Sequence, residues 1–236
     1  MIYSQLRLID SSNIVSNCIV LFHDFCLVII FTILVIVTLI VFICYNSNKF
    51  VISTFTASNI LEITWTILPI FFLFSLRLPS FLLMYFLEGE TKSDLTFKGI
   101  RHQWYWSYES SDFKDFSFDS YIVNTEDLKI GDSRLLEVDN SLTLPFLSKI
   151  RMVITSSDVL HSWALPSMCV KLDAVPGRLN TLNLFSSTPG VFYRQCSEIC
   201  RVNHSFIPIN VEFVRWEDFF FSLYIFNYSI YNVNNC

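Results

Sequence analysis

Charge, histidine, methionine and glycine are all scarce in this chain. Only 16% of its 236 residues are charged, 53% are hydrophobic and the mean hydropathy is +0.48; that balance excludes a wholly water-soluble protein. Basic residues number 16 against 21 acidic ones, a net charge of −5, so no nucleic-acid partner is expected. The four histidines form no haem-ligand pattern on the apolar stretches, which excludes haem chemistry within this chain. The seven cysteines form no evident disulfide framework: Cys18, Cys26 and Cys44 lie in or beside the first apolar run, and Cys169 and Cys236 stand alone. There are no internal repeats and no long low-complexity segments. Five glycines and four methionines are few, since glycine alone averages about 7% of residues in proteins generally.

What is abundant is apolar, and it is unevenly spread. Phe25 to Tyr45 is 21 residues without a charge, bracketed by Asp24 and Lys49. At about 1.5 Å per residue that run crosses a bilayer. A second run, about Leu61 to Leu87, is interrupted by Arg77, Pro69 and Pro79. Prolines are tolerated in membrane helices, and Arg77 must reach headgroups or face protein. The expected organisation is an N-terminal two-helix transmembrane hairpin within residues 1–90, with helices about 25–45 and 61–87. The first run is too long and starts too late for a cleaved signal peptide. Two crossings put both chain ends on one side of a lipid bilayer, and the loop carries too few charges to say which. From Glu88 onward, short aromatic and β-branched runs (Lys98 to Glu109, Arg134 to Asp139, Lys149 to Thr155, Ile209 to Phe213) alternate with turn signals at Gly131-Asp132, Pro176-Gly177 and Pro189-Gly190. These predict an all-β sandwich or barrel over 91–218, followed by an aromatic, Asn-rich tail, 219–236.

The densest chemistry is Cys196-Ser-Glu-Ile-Cys200-Arg-Val-Asn-His204, with His161 upstream in Asp158-Val-Leu-His161-Ser-Trp163. A Cys-x3-Cys pair alone leaves a disulfide and a zinc site open beside other metal readings. His204 and His161 shift the balance towards a metal, and thiolate with imidazole suits copper or zinc rather than calcium or magnesium. Single-copper electron-transfer sites use one cysteine. A second thiolate lets both sulfurs bridge two coppers.

The segments Glu62-Ile-Thr-Trp-Thr-Ile-Leu-Pro69, His102-Gln-Trp-Tyr-Trp-Ser-Tyr-Glu109, Asp158 to Trp163, Asp173-Ala-Val-Pro-Gly-Arg-Leu-Asn180 and the cysteine loop resemble subunit 2 of mitochondrial cytochrome c oxidase. The resemblance spans essentially the whole chain. It implies a cupredoxin-like domain holding two copper ions, the CuA centre, on His161, Cys196, Cys200, His204 and the backbone carbonyl of Glu198. The Glu198 side chain would help hold a magnesium ion shared with subunit 1. Trp104 would be the point where electrons arrive from cytochrome c, with Tyr105 and Trp106 in the core. Arg178 would lie on the path towards haem. Glu62 would be either a carboxylate near proton uptake or an ordinary helix-end acid. Between Glu88 and Asp139 stand twelve acids against six bases. The resemblance picks Glu109, Asp112, Asp115, Asp119, Asp139 and Asp158 as the set on which cytochrome c docks. It also implies a multi-pass protein of the mitochondrial inner membrane, packed on subunit 1 and other subunits, with its copper domain in the intermembrane space.

The chain departs from the family's pattern in a concerted way. Ile207 stands where the family has an axial methionine, and Arg7, Arg101, Arg194 and Arg201 stand where it has glycine. Some mitochondrial codes read AGA and AGG as glycine and AUA as methionine. Translation of such a gene with another code would write all five residues as they stand. Four glycines in place of four arginines would move the net charge from −5 to −9. The alternatives are real divergence, with a copper-free quinol-oxidase-like subunit or a structural subunit with a degenerate copper loop as the functional consequence.

Overall fold

The computed structural model describes residues 8–46, 57–89, 92–110, 112–113, 116–200 and 207–233. The chain divides into two units: residues 17–89, and residues 1–16 together with 90–236.

The first unit contains two apolar helices. Helix α1, Ile14–Asn46, starts eleven residues ahead of the uncharged run expected at 25–45. Its start is set by Asn13, whose Oδ1 accepts from the Ser16 N–H at 2.6 Å, a side-chain cap on an otherwise orphan donor. Helix α2, Asn59–Glu88, is capped by Ser58, with Glu62 in the first turn, where a carboxylate complements the helix dipole. Pro69 and Pro79 lie inside it. Thr64 and Thr66 return their hydroxyls to the carbonyls four residues back. The Arg77 guanidinium lies 4.9 Å over the Phe81 ring, so the one cation of this helix sits on an aromatic face. Both helices are long and apolar enough to cross a membrane, and the protein is membrane-anchored.

The second unit is a β-sandwich of mixed sheets. One sheet has the order β3-β2-β1-β5-β8, from β1 (Leu95–His102), β2 (Tyr105–Ser110), β3 (Ser117–Ser120), β5 (Ile150–Ser156) and β8 (Asn180–Leu184). The second has the order β4-β10-β9, from β4 (Leu142–Pro145), β9 (Gly190–Gln195) and β10 (Pro208–Val214). A ribbon, β6 (His161–Leu165) with β7 (Val170–Ala174), completes it. β1 runs parallel to β5 and β10 parallel to β4; the other pairs are antiparallel.

Strand β1 shows how the core is written. Its alternate residues Leu95, Phe97, Gly99 and Arg101 point inward, as a period of two requires. Gly99 sits there because a Cβ would meet the Ile154 side chain at 2.9 Å. Phe97, Trp106, Tyr108, Met152, Ile154, Trp163 and Val211 fill the interior. The Trp163 indole N–H donates to the Tyr108 hydroxyl at 3.4 Å. Burial pushes the Tyr108 phenol well above its ordinary value, although this bond pulls it back.

The run Lys98 to Glu109 spans two strands and the turn between them. One expectation is corrected. Arg134 to Asp139 is a turn region touched only by the bridge Ile122 to Val138, because its backbone groups close locally, as in Leu136 N–H to Ser133 O. The expected tail is a helix, α3 (Trp216–Val233), that buries Phe219 and Leu223 in the domain core. The N-terminal segment also joins this unit. The Ser12 N–H donates to Ser167 O, the Ser187 N–H donates to Ser12 O, and the Asn13 amide donates to Phe185 O.

Candidate metal centre

Two ends of strands and one loop build the site. His161 opens β6, and Cys196 follows directly on β9. The Cys196 N–H donates to Ile207 O at 3.0 Å, and the Ser197 N–H donates to Ser162 O at 3.3 Å. The loop is thus tied to β10 on one side and to β6 on the other. His161 is 0% exposed, and Cys196 and Cys200 are buried beside it. Their potential ligand atoms lie within 4.8 Å of one another. The two thiols are not joined to each other, so the disulfide alternative is not the arrangement found.

The division of labour within the histidine is visible. Its Nδ1 faces the Cys196 Sγ at 4.0 Å, and its Nε2 is 2.9 Å from Asp158 Oδ1. The Glu198 carbonyl also turns into the loop, accepting the Cys196 thiol at 3.4 Å. Two thiols, one imidazole nitrogen and a carbonyl converging in a sealed pocket are a donor set for a soft metal ion. Burial pushes the Cys200 thiol up to about 11, the neighbouring Cys196 adds to this, and the Arg101 cation opposes it. A metal must therefore displace protons to bind.

The other expected residues fall as follows. Trp104 is 45% exposed in the turn between β1 and β2. Beside it, His102 stacks on Tyr105 and Tyr105 on Tyr121, at 4.7 and 4.5 Å. Tyr105 is thus part of a half-buried stack rather than the core proper, whereas Trp106 is sealed. Asp119 and Asp139 are exposed and are tied to this end of the sheet. Asp119 accepts from Ser107 and from the Tyr121 hydroxyl, and Asp139 accepts from the Tyr121 N–H. Glu109 pairs with Lys98 at 3.1 Å, and Asp112 accepts from the Thr96 N–H; both lie towards the far end of β1. The Glu198 carboxylate is 3.9 Å from Lys171, which also lies 3.9 Å from Asp173. Arg178 is exposed in the turn between β7 and β8, its N–H donating to Val175 O. Ile207 is wholly buried. His204, Asp115, Arg7 and Arg201 lie outside the described residues.

Sequence reasoning missed the burial of Arg101. Its guanidinium is 0% exposed, with Nε and Nη2 lacking a partner among the described residues and Nη1 pressed against the Tyr105 carbonyl. It lies 5.4 Å over Trp106. Desolvation lowers its pKa to about 10, although the nearby Cys196, Cys200 and Asp158 favour its charge. The alternation of β1 was the available signal. A residue two beyond Gly99 and four beyond Phe97 has to point inward.

Residues 95–214 match the family described as cytochrome C oxidase subunit II, periplasmic domain, and residues 2–83 match its transmembrane domain. Cytochrome c oxidase subunit 2 of Albinaria caerulea is 46% identical over 218 residues, covering 92% of this chain and 96% of that protein. The crystal structure of the periplasmic domain of subunit II (CoxB) of Bradyrhizobium japonicum is 43% identical, covers 55% of this chain and 90% of its own, and superposes with a TM-score of 0.51. With both parts of the family pattern matched in order and a buried His-Cys-Cys donor set at the cysteine loop, this chain belongs to the cytochrome c oxidase subunit 2 family, the part of the oxidase that takes electrons in.

Proposed function

We propose that this chain receives electrons from cytochrome c at a binuclear copper centre and passes them to haem in subunit 1 of the mitochondrial inner-membrane oxidase. The observation that carries the reading is the sealed His161-Cys196-Cys200 cluster, which a disulfide or a solvated loop does not require. His204 and the Glu198 carbonyl would complete the donor set, and the presence of both thiols in one pocket speaks against a copper-free relative. The copper that His161, Cys196, Cys200 and His204 would hold would supply one-electron redox chemistry to the chain. The chain's own residues do the rest. Burial excludes water from the thiols, the loop ties to Ser162 and Ile207 hold the sulfurs in place, and exposed Trp104 offers an indole to the docking carrier. The exposed Glu198 carboxylate beside Lys171 is the group offered to magnesium at subunit 1.

The same reading covers the odd residues. A guanidinium enclosed with two nitrogens unpartnered among the described residues costs several kcal/mol, whereas glycine leaves nothing to bury. Positions 7, 101, 194 and 201 are read as glycine in the working protein, and 207 as methionine, which would add a thioether donor to the set. Copper analysis and near-infrared and paramagnetic spectra of the purified oxidase test the copper reading. Two coppers on this chain with a mixed-valence signal are expected; no copper, or a Cys196–Cys200 disulfide in the active enzyme, overturns it.

A further inference from the structure

Asp158 was expected among the acids on which cytochrome c docks, yet its carboxylate is spent inward. Only 26% of the side chain is exposed. Its Oδ1 accepts from His161 Nε2 at 2.9 Å, from the Val159 N–H at 2.6 Å and from the Ser156 hydroxyl at 3.1 Å. The neighbouring Ser157 hydroxyl bonds to Arg101 O at 3.0 Å and to His102 Nδ1 at 2.9 Å. The segment 156–159 is therefore clamped between the turn that carries Trp104 and the histidine of the metal site.

We propose that Asp158 is a positioning residue for the copper ligand His161. A carboxylate acceptor on Nε2 fixes the proton there. That leaves the Nδ1 lone pair directed at the sulfurs and stops the ring from turning. The negative charge one imidazole away from the metal also makes the ring a stronger donor, and so favours the more oxidised state of bound copper. The assignment rests on the copper reading above.

The test uses the full-length chain loaded with copper, with Asp158→Asn and Asp158→Ala compared with wild type. Thermal melting first establishes that each variant is folded. Asp158→Asn keeps an acceptor oxygen and loses the charge. The copper should stay bound, with a reduction potential higher than wild type. Asp158→Ala loses the acceptor as well. Its copper should dissociate about 10–100-fold more readily, the loss typical of removing such a partner, with altered copper hyperfine splitting. If wild type shows the copper signal and both variants match its potential, spectrum and copper retention, the assignment is overturned. That holds also if they merely weaken cytochrome c association at low salt, which would make Asp158 a docking acid. If wild type itself takes up no copper, the copper reading falls and this assignment falls with it.

Discussion

At the scale of single residues, Arg101 is the position where chemistry and sequence disagree most. A cation enclosed with orphan N–H groups is among the few features that destabilise a fold by more than about 3 kcal/mol. Peptide mapping of the native subunit is expected to show no tryptic cleavage after position 101 and a glycine mass there, with methionine at 207. Arginine and isoleucine in those peptides would establish real divergence instead. Arg101→Gly in the recombinant chain should raise the unfolding midpoint in denaturant by an amount worth about 3 kcal/mol, since the small cost of a glycine in a strand is well below that of the buried charge. An equal or lower midpoint would show that the guanidinium is accommodated.

Cys200 makes a second prediction at this scale. A thiol held up to about 11, chiefly by burial, is protonated at neutral pH, and the metal binds the thiolate. Loss of a proton on binding means that apparent copper affinity rises with pH. With the Cys200 thiol losing its proton, the logarithm of the apparent affinity should climb by about one or more per pH unit below neutrality. Competition with a copper(I) chelator between about pH 6 and 7.5 measures this. A flat profile would mean that the Cys200 thiol is already ionised or is not a ligand.

At the scale of elements, α3 is what the sequence hid. Phe, Tyr, Asn and Ile are middling helix formers, so an aromatic, Asn-rich composition reads as a tail. The stripe Phe219, Leu223, Phe226 was nevertheless present at helical spacing. It is the face that packs: Phe219 meets Phe97 at 6.5 Å and Phe113 at 5.7 Å between ring centres. Phe219→Ala should therefore cost about 3–5 kcal/mol of stability, whereas Phe220→Ala, at an exposed site, should cost little. Similar losses for both, read as shifts of thermal midpoint, would place the helix differently.

The same scale explains what else was legible. The two membrane helices were plain because an uncharged run longer than a bilayer has few other homes. Their starts were not, because Asn13 and Ser58 act through caps that composition does not reveal. The donor cluster was legible because Cys196 and Cys200 are local in sequence, and His161 was found through its motif. The task of Asp158 was not legible. An acid three residues before a histidine looks the same whether it faces solvent or the ring, and only the hydrogen-bond geometry distinguishes them. Arg134 to Asp139 misled because β-propensity describes a side chain's fit to a pleated surface, and here the local turn bonds win.

At the scale of the whole molecule, the acidic character resolves into two separate regions. Asp119 and Asp139 flank the aromatic stack beside Trp104. Glu109 lies four residues along β2 from Tyr105 and Asp112 contacts the start of β1, about 14 and 20 Å from that turn at about 3.4 Å per residue. The screening length at physiological salt is about 8 Å, so these two acids contribute little field where a carrier would meet Trp104. Glu109 is, besides, already paired with Lys98. Asp119→Asn with Asp139→Asn should slow association of cytochrome c several-fold and flatten its salt dependence, while Glu109→Gln leaves the rate near physiological salt nearly as it was. Stopped-flow association rates from about 20 to 300 mM salt separate the cases. An effect of Glu109→Gln equal to that of the Asp119 and Asp139 pair would mean that the whole acidic edge steers the encounter and that proximity to Trp104 has no special weight.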